Sequence, residues 1–277
     1  MRCVMEETLL KRKAVKTDNL RYVLYYHNEF VDPKEQEIDD SHIHSCVEVY
    51  VNLSGDVSFL VQNEMLSILH GDVVFTRANE YHHCIYHKAC VHEHFCFWLD
   101  ESFVKEYLGG FFQSGVHHLR LPVKQKEELV KLFFELKDAI SDEKRVRESA
   151  RVFQIFDMLE THVQHAEAVK TDVLPAQMQK ILDEIGERFA EIAGAADLAE
   201  RFFISPSTLN RWFFKYLHVS PKAYLVGVRL SAAKRMLDEG KSVTSVCFDC
   251  GYCDSSHFIR AFKNKFSITP GRYQAKK

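Results

Sequence analysis

The sequence predicts a multidomain α+β protein, with an antiparallel β-barrel and helices in its N-terminal part and an all-α domain at its C-terminal end. Up to about residue 121, short segments rich in Val, Tyr and Phe alternate apolar and polar residues, as strands do. From about residue 176, nearly every segment has helical spacing. The 277 residues also exceed the size of about 100–150 residues that is most common for one domain.

The predicted strands follow one another along the N-terminal part. They lie in LRYVLYYHNEF, VEVYVNL, DVSFLVQ, EMLSILHGDVVFTR and HEHFCFWLD. Because no helical segment separates them, an antiparallel barrel or sandwich is favoured over an alternating α/β fold. Two amphipathic helices are then predicted in KQKEELVKLFFELKDAI and SARVFQIFDMLETHVQH. Helices of this kind pack on their own domain or form the contact of a homodimer, and we expect a homodimer.

The predicted boundaries are residues 1–165 for the first domain, 166–176 for a linker and 177–277 for the second domain. From Leu174 onward, 16 Lys and Arg stand against 10 Asp and Glu, a net charge of +6, whereas the preceding residues carry −9. This asymmetry indicates a polyanionic partner at the C-terminal end. No apolar run approaches the ~20 residues that span a bilayer, and the N-terminus lacks the apolar stretch of a signal peptide. We therefore expect a cytoplasmic protein with no membrane partner.

Two segments of the helical part share one plan. In DLAERFFISPSTLNRWFFKYL, Ser205 is expected to cap a helix that begins at Pro206. In VTSVCFDCGYCDSSHFIRAFKNKF, Gly251 is expected to end one helix and Asp254 to cap the next. Each segment is thus a helix, a tight turn and a capped basic helix, the pattern of a helix-turn-helix. Two such motifs in tandem, on net positive charge, predict binding to double-stranded DNA.

The second helix of each motif has an apolar face and a polar face. The apolar residues expected in the core are Leu209, Trp212 and Phe213 in the first motif and Phe258, Ile259 and Phe262 in the second. The polar residues expected to contact base edges and phosphates are Ser207, Asn210 and Arg211 in the first motif and Ser255, Ser256, His257 and Arg260 in the second. The helix between the motifs, about residues 221–239, would span roughly 28 Å. Successive major grooves lie ~34 Å apart, so one chain can address two grooves.

The order and detail of this segment resemble the DNA-binding domain of AraC/XylS-type transcription regulators. The matching stretches are LAERFFISPSTLNRWFFKYLHVSPKAYLVGVRLSAAKRML and VCFDCGYCDSSHFIRAFKNKFSITPGRY. The resemblance implies a regulator without enzymatic activity that contacts DNA, and also RNA polymerase if it activates transcription. It agrees with core positions for Cys247 and Cys250, three residues apart on a helix, rather than with a metal cluster that includes Cys253.

A histidine-rich stretch, SHIHSCVEVYVNLSG, lies in the N-terminal part. His42, His44, Glu48 and Gly55 follow the order H-x-H, three residues, E, six residues, G, which resembles the first motif of cupin domains. The ends of the second cupin motif match Gly71 and His82, although Arg77 and Asn79 stand where Pro and Gly are usual. The resemblance implies a small cupin-like barrel in which the four polar residues converge, namely His42, His44, Glu48 and His82.

This set of residues has two interpretations. Three imidazoles and a carboxylate suit a divalent transition metal such as Fe, Mn, Ni or Zn. However, four residues of straight strand cover ~13 Å, so His44 and Glu48 can meet only where the chain bends. We favour the other interpretation, in which the residues bind a small-molecule effector such as a sugar and perform no catalysis. His92 and His94, on one strand face, are expected to be surface groups or barrel fillers.

The predicted function is therefore a sequence-specific regulator whose cupin-like domain senses a small molecule and controls DNA binding or activation. One alternative is a metal-dependent cupin enzyme with an accessory helical domain. Another is a constitutive DNA-binding protein whose barrel only dimerises.

Overall fold

The computed structural model describes residues 14–15 (backbone only), 21–33, 43–44, 46–109, 116–163 and 174–275. Its strands, all in the N-terminal part, are β1 Ala14–Val15, β2 Tyr22–Val31, β3 Val47–Ser54, β4 Val57–Val61, β5 Glu64–Ile68, β6 Val73–Thr76, β7 His82–Tyr86, β8 Cys90–Leu99 and β9 His118–Leu119.

Helices follow the strands and make up the whole C-terminal part. They are α1 Glu101–Tyr107, α2 Val123–Ser141, α3 Arg145–Val163, α4 Ala176–Arg188, α5 Ala195–Arg201, α6 Pro206–Leu217, α7 Pro221–Asp238, α8 Val243–Asp249, α9 Ser255–Phe266 and α10 Pro270–Ala275. No helix within the described residues is long and apolar enough to cross a membrane.

The strands form two antiparallel sheets. One has the order β1-β2-β8-β3-β6-β9 and the other the order β5-β4-β7. This confirms the predicted fold class, an antiparallel β-domain followed by a helical domain. Strand β7 and helix α1 were not among the predicted elements. Strand β7 begins with two histidines, and its extended form depends on pairing with β4, in which Phe59 lies opposite Cys84.

The larger sheet is covered on both faces. Its outer face carries Leu24, Val49 and Phe97, which pack with Leu129 and Phe156 of the two long helices α2 and α3. Its inner face meets the smaller sheet, where Tyr50 packs against Phe59 at 4.9 Å between ring centroids. Because side chains alternate along a strand, every second residue of β2, β3 and β8 lies inside the barrel. These inward positions are unusually polar, and they build the first candidate site.

The helical part contains seven helices within residues 174–275. Its two helix-turn-helix units are α5–α6 and α8–α9, joined by α7. Gly251 ends α8 with a φ of +75°, and a Cβ at this position would overlap the carbonyl oxygen of Ala190. Cys247 and Cys250 are fully buried, as expected of core residues, and Cys253 is exposed.

The barrel and the helical part share one hydrophobic cluster. Leu60 and Tyr81 of the barrel pack in it together with Phe213 and Tyr224 of the helical part. Helix α7 is consequently buried nearly all round. The ring of Tyr81 lies so close to Gly227 of α7 that a Cβ at this glycine would overlap it. The helix that joins the two DNA-binding motifs is therefore also in direct contact with the barrel.

Hydrogen bonds reinforce this junction. The Tyr224 hydroxyl donates to the Gln62 carbonyl oxygen over 2.6 Å, and Asn63 Nδ2 donates to Asp183 Oδ1 over 2.8 Å. Asn79 Nδ2 donates to Asp238 Oδ2 over 2.7 Å. Two loops of the barrel, the β4–β5 turn and the segment before β7, therefore carry the polar contacts to the helices.

Candidate functional site

The carboxylate of Glu48 is the centre of the polar barrel interior. It is 4% exposed, and its Oε2 atom accepts a hydrogen bond from Trp98 Nε1 over 2.6 Å. The same oxygen lies 3.0 Å from His44 Nε2 and 3.8 Å from His82 Nε2. His44, Glu48 and His82 are thus brought together, whereas His42 lies outside the described residues.

A bend in the chain makes this meeting possible. Strand β3 begins only at Val47, and the chain bends at Cys46, so His44 precedes the strand rather than continuing it. The Cys46 carbonyl oxygen lies 3.0 Å from His44 Nδ1, which turns the ring back toward Glu48. The bend that a shared centre requires between His44 and Glu48 is therefore present.

Backbone carbonyl groups orient both histidines. His44 Nδ1 faces the Cys46 carbonyl oxygen, and His82 Nδ1 faces the Glu80 carbonyl oxygen at 2.9 Å. A carbonyl oxygen only accepts, so Nδ1 carries a proton in each ring. The ionised carboxylate also only accepts, so His44 Nε2, at 3.0 Å, donates to Glu48 when it carries a proton, whereas His82 Nε2 lies further away at 3.8 Å. Burial lowers the pKa of His82 to about 4, against an opposing effect of Glu48, so this ring is neutral near pH 7. His82 Nε2 and the Glu48 carboxylate are therefore the acceptors of this centre.

Such a centre favours one of two guests. Two imidazoles held by carbonyl groups and one carboxylate fit a divalent transition metal, because metal-ligating histidines usually donate their other ring N–H in this way. The same atoms accept hydrogen bonds from hydroxyl or ammonium groups of a small molecule. The geometry suits both.

The segment before β7 replaces a Pro and a Gly of the cupin motif. Asn79 stands at the Gly position and has a φ of +66°, in the left-handed region that Asn tolerates better than most residues. Its backbone N–H donates to the His44 carbonyl oxygen over 2.7 Å. The departure from the motif therefore preserves the turn and connects it to the polar centre.

The second candidate site is the exposed face of α6 and α9. All seven residues expected to contact DNA are exposed, namely Ser207, Asn210, Arg211, Ser255, Ser256, His257 and Arg260. The cap residues also lie where the sequence predicted them. Ser205 Oγ accepts from the Thr208 N–H over 3.1 Å, and the Asp254 carboxylate accepts from the backbone N–H groups of Ser256 and His257.

Arg211 and Arg260 occupy matching places in the two motifs. Each is the sixth residue of its helix and is exposed. Within the described residues, neither forms an ion pair. Arg229 of α7 differs, because its guanidinium donates to the carbonyl oxygens of Phe189 and Ile192 inside the domain. Two arginines thus remain available to a polyanion, while a third holds the fold together.

One assignment to the core was wrong. Ile259 is 38% exposed, because it follows Phe258 on the helix and faces away from the buried side that Phe258 and Phe262 form. Helix α7 runs from Pro221 to Asp238, 18 residues, which corresponds to roughly 27 Å. Its length agrees with the spacing expected of two helices that reach adjacent grooves.

Sequence reasoning missed the contacts of Asn79 and Tyr81 with α7. These residues lie within the second cupin motif, where Asn79 reads only as a departure from the usual Gly. Their partners on α7 are more than 140 positions away in the sequence, and no local pattern predicts such contacts. The sequence analysis also assigned no site role to His27, His94 and Cys96. His94 and Cys96 are two residues apart on a predicted strand, a spacing that places both on the same face of the sheet.

A tandem helix-turn-helix with exposed arginines, joined to a barrel with a polar centre, is the two-domain arrangement typical of DNA-binding regulators. The family model described as "AraC-like ligand binding domain" matches residues 31–156, and the one described as "Helix-turn-helix domain" matches residues 198–276. The chain therefore belongs to the AraC type, with an AraC-like ligand-binding domain followed by a helix-turn-helix domain.

Curated relatives agree with this assignment. The HTH-type transcriptional activator RhaS of Escherichia fergusonii is 32% identical over 96 residues, 34% of this chain and 34% of that protein. The protein of the same name from Mannheimia succiniciproducens is 27% identical over 149 residues, 53% of this chain and 54% of that protein. The chain thus matches about a third to a half of the length of these relatives.

Solved structures show weaker similarity. Wild-type ToxT from Vibrio cholerae, solved with an unsaturated fatty acid bound, covers 93% of this chain and 96% of its own, with 11% identity and a TM-score of 0.39. A DNA-binding transcriptional dual regulator from Escherichia coli K-12 covers 39% of this chain and 96% of its own, with 26% identity and a TM-score of 0.34. Similarity at these scores does not bear on function.

Proposed function

We propose that this regulator senses a small molecule bearing hydroxyl or ammonium groups, such as a sugar, at the centre formed by His44, Glu48 and His82. The observation that supports the proposal is the position of residues 79–81, which touch this centre on one side and α7 on the other.

The connection consists of two short paths. The His44 carbonyl oxygen accepts from the Asn79 N–H, and the Asn79 side chain donates to Asp238 near the end of α7. His82 directly follows Tyr81, whose ring packs at Gly227 in the middle of α7. A guest that displaces His44 or His82 therefore acts on the helix that joins the two DNA-binding motifs.

The size of any response has a thermodynamic limit. A guest changes DNA affinity only as far as it binds one arrangement of barrel and helices better than another. The buried junction provides one defined arrangement, in which Tyr81 and Asn79 contact α7. The guest would stabilise or weaken this junction, and DNA affinity would change accordingly.

Partners follow from the same organisation. We expect a homodimer through α2 and α3, where Val146 and Phe153 are exposed at 87% and 44%. The curated relatives are named activators, so contact with RNA polymerase is part of the proposal. The chain would act in the cytoplasm without catalysing a reaction. The rival function is a metal-dependent enzyme at the same centre.

A thermal-shift screen of sugars and small metabolites against the full chain tests the proposal. A ligand that raises the melting temperature of the wild type should have no effect on Glu48→Gln, because the amide NH₂ donates where the carboxylate accepted. The same variant should lose the ligand-dependent change in DNA affinity. Glu29→Gln, on an exposed position of β2, is the matched control and should respond like the wild type.

Two results would contradict the proposal. One is a ligand-induced shift in melting temperature that persists in Glu48→Gln. The other is one tightly bound transition metal per chain, measured by elemental analysis of protein purified without chelators, that is lost in Glu48→Gln. The second result would favour the metal-dependent enzyme.

A further inference from the structure

A second group of metal-ligating side chains lies inside the barrel, next to the Glu48 centre. His27 on β2 and His94 and Cys96 on β8 each offer one ligand atom, and these atoms all lie within 4.8 Å of one another. The two histidines are buried, and Cys96 is partly buried. The group is separate from the cupin motif, which supplies none of its residues.

The pairing of β2 with β8 creates this group. His27 lies directly opposite His94 in the antiparallel ladder, and Cys96 is two residues further along the same strand. Residues two apart share a face of the sheet, so all three side chains point into the barrel. The His27 and His94 rings stack at 4.6 Å between centroids, with 16° between their planes.

The neighbouring histidine on the same face is not a ligand. His92 stacks on His94 at 4.5 Å, but both of its ring nitrogens have partners. Its Nδ1 lies 2.8 Å from the Ser54 carbonyl oxygen, and its Nε2 lies 2.9 Å from the Tyr50 hydroxyl. His92 therefore supports the ring of His94 by stacking on it. The donor set consists of the imidazoles of His27 and His94 and the thiol of Cys96.

We propose that His27, His94 and Cys96 bind one soft transition metal ion, Zn²⁺ or Cu⁺, inside the barrel. Thiolate and imidazole are the ligands that these ions prefer, whereas the Glu48 centre offers only nitrogen and oxygen. A tetrahedral zinc ion separates its nitrogen and sulfur donors by roughly 3.3–3.7 Å. The widest separation therefore needs to close by up to about 1.5 Å, the stacked imidazoles need to turn until their nitrogen lone pairs converge, and the fourth position is left to an exogenous ligand.

The metal would also affect the neighbouring centre. Cys96 Sγ lies 3.7 Å from Glu48 Oε1, within the reach of a weak S–H hydrogen bond. Metal binding requires the thiolate, so it would remove this donor from the carboxylate. The two sites are therefore adjacent, and their donor sets are chemically distinguishable.

Cobalt(II) titration of the reduced full chain tests this inference, because Co²⁺ replaces Zn²⁺ and reports sulfur ligation directly. We expect one equivalent of Co²⁺ to produce a thiolate-to-cobalt charge-transfer band in the near ultraviolet, and Zn²⁺ to abolish it. Cys96→Ser should eliminate this band, and His94→Asn should weaken Co²⁺ binding at least tenfold. Cys90→Ser, at a partly buried position of the same strand, should retain the band.

Glu48→Gln separates this site from the Glu48 centre. The charge-transfer band should persist in this variant, since none of the three proposed ligands has changed. Loss of the band in Glu48→Gln with retention in Cys96→Ser would overturn the inference. So would a folded wild-type protein that binds Co²⁺ without any charge-transfer band, a result that requires no variant to fold.

Discussion

The barrel and the helical domain place their chemically active side chains in opposite ways. In the barrel, Glu48, His82, His27 and His94 point inward and are at most 8% exposed. In the helical domain, the polar residues of α6 and α9 point outward, and the apolar ones form the core. The barrel interior thus suits a guest small enough to be enclosed, and the helices present groups to a surface as large as a DNA groove.

The same contrast explains what the sequence predicted well. Both helix-turn-helix units could be predicted from local signals. Ser205 and Asp254 each accept a hydrogen bond from a backbone N–H no more than three residues further along the chain, and Gly251 ends α8 because its own backbone has a positive φ. The exposed face of each recognition helix follows from helical spacing alone. Helix caps and helical spacing depend only on residues a few positions apart, so they can be recognised in a single sequence.

The barrel interior was only partly predictable. The motif spacing indicated that His44, Glu48 and His82 converge, but the enabling bend at Cys46 has no Gly or Pro to announce it. The group of His27, His94 and Cys96 depends on the register of β2 against β8, which is set by pairing between distant segments. The contact of Tyr81 with Gly227 depends on how two domains pack. The domain boundaries at residues 165 and 177 remain a prediction.

The largest expected effect concerns a buried charge that supports the barrel. Asp72 is fully buried, and its carboxylate accepts hydrogen bonds from Lys126 over 2.6 Å and from Arg120 over 2.7 Å, with His118 Nε2 at 3.0 Å. Burial would raise the pKa of Asp72, but these hydrogen bonds outweigh it and hold the pKa well below its usual range. Asp72→Asn should lower the free energy of unfolding by about 3–5 kcal/mol, because the buried amide places an NH₂ donor among groups that all donate and leaves the partly buried Lys126 ammonium without its anion.

Urea denaturation of the full chain measures this loss. The matched control is Asp56→Asn, which removes an exposed ion pair with Lys88 and should cost about 1 kcal/mol or less. Equal losses for the two variants would show that the buried carboxylate of Asp72 does not support the barrel, and the contrast between the two domains would then concern recognition alone.

A smaller effect is expected from a histidine near the barrel rim. Burial lowers the pKa of His117, but hydrogen bonds to Glu64 and Glu80 outweigh this effect and raise the pKa to about 9. The pKa is raised even though the Arg77 guanidinium lies 2.8 Å from His117 Nε2. A folded pKa above the unfolded value of 6.5 stabilises the protein below that pH, and the stabilisation is lost as the pH rises through about 9. The loss should be roughly 2–3 kcal/mol.

Thermal or urea unfolding between pH 6.5 and 9 checks the sign. His117→Gln cannot be protonated, so its stability should fall less steeply with pH than that of the wild type. Glu64→Gln removes one of the two carboxylates and should give an intermediate slope. A His117→Gln variant that loses stability in parallel with the wild type would contradict the assignment.

The smallest expected effect concerns the exposed arginines of the helical domain and tests whether the two motifs are equivalent. Arg211 and Arg260 hold the same place on α6 and α9, so each should contribute similarly to specific binding. Replacing either with Ala should weaken binding to operator DNA by about 1–3 kcal/mol if the arginine reads a base. If it contacts only phosphate, binding should weaken on all sequences alike, and the salt dependence should become less steep.

Electrophoretic titrations at several salt concentrations distinguish these cases. Arg188→Ala removes the same charge from α4, where the arginine is held by Glu184 and Glu191, and serves as the control for net charge. If Arg211→Ala and Arg260→Ala both bind operator DNA as tightly as Arg188→Ala does, the assignment of α6 and α9 as the DNA-contacting helices is contradicted. A loss confined to Arg260→Ala would mean that only the second motif reads sequence. In that case α7, which the barrel contacts at Gly227, would set how far the first motif is held from the DNA, and the inward-facing domain would influence the outward-facing one through this helix.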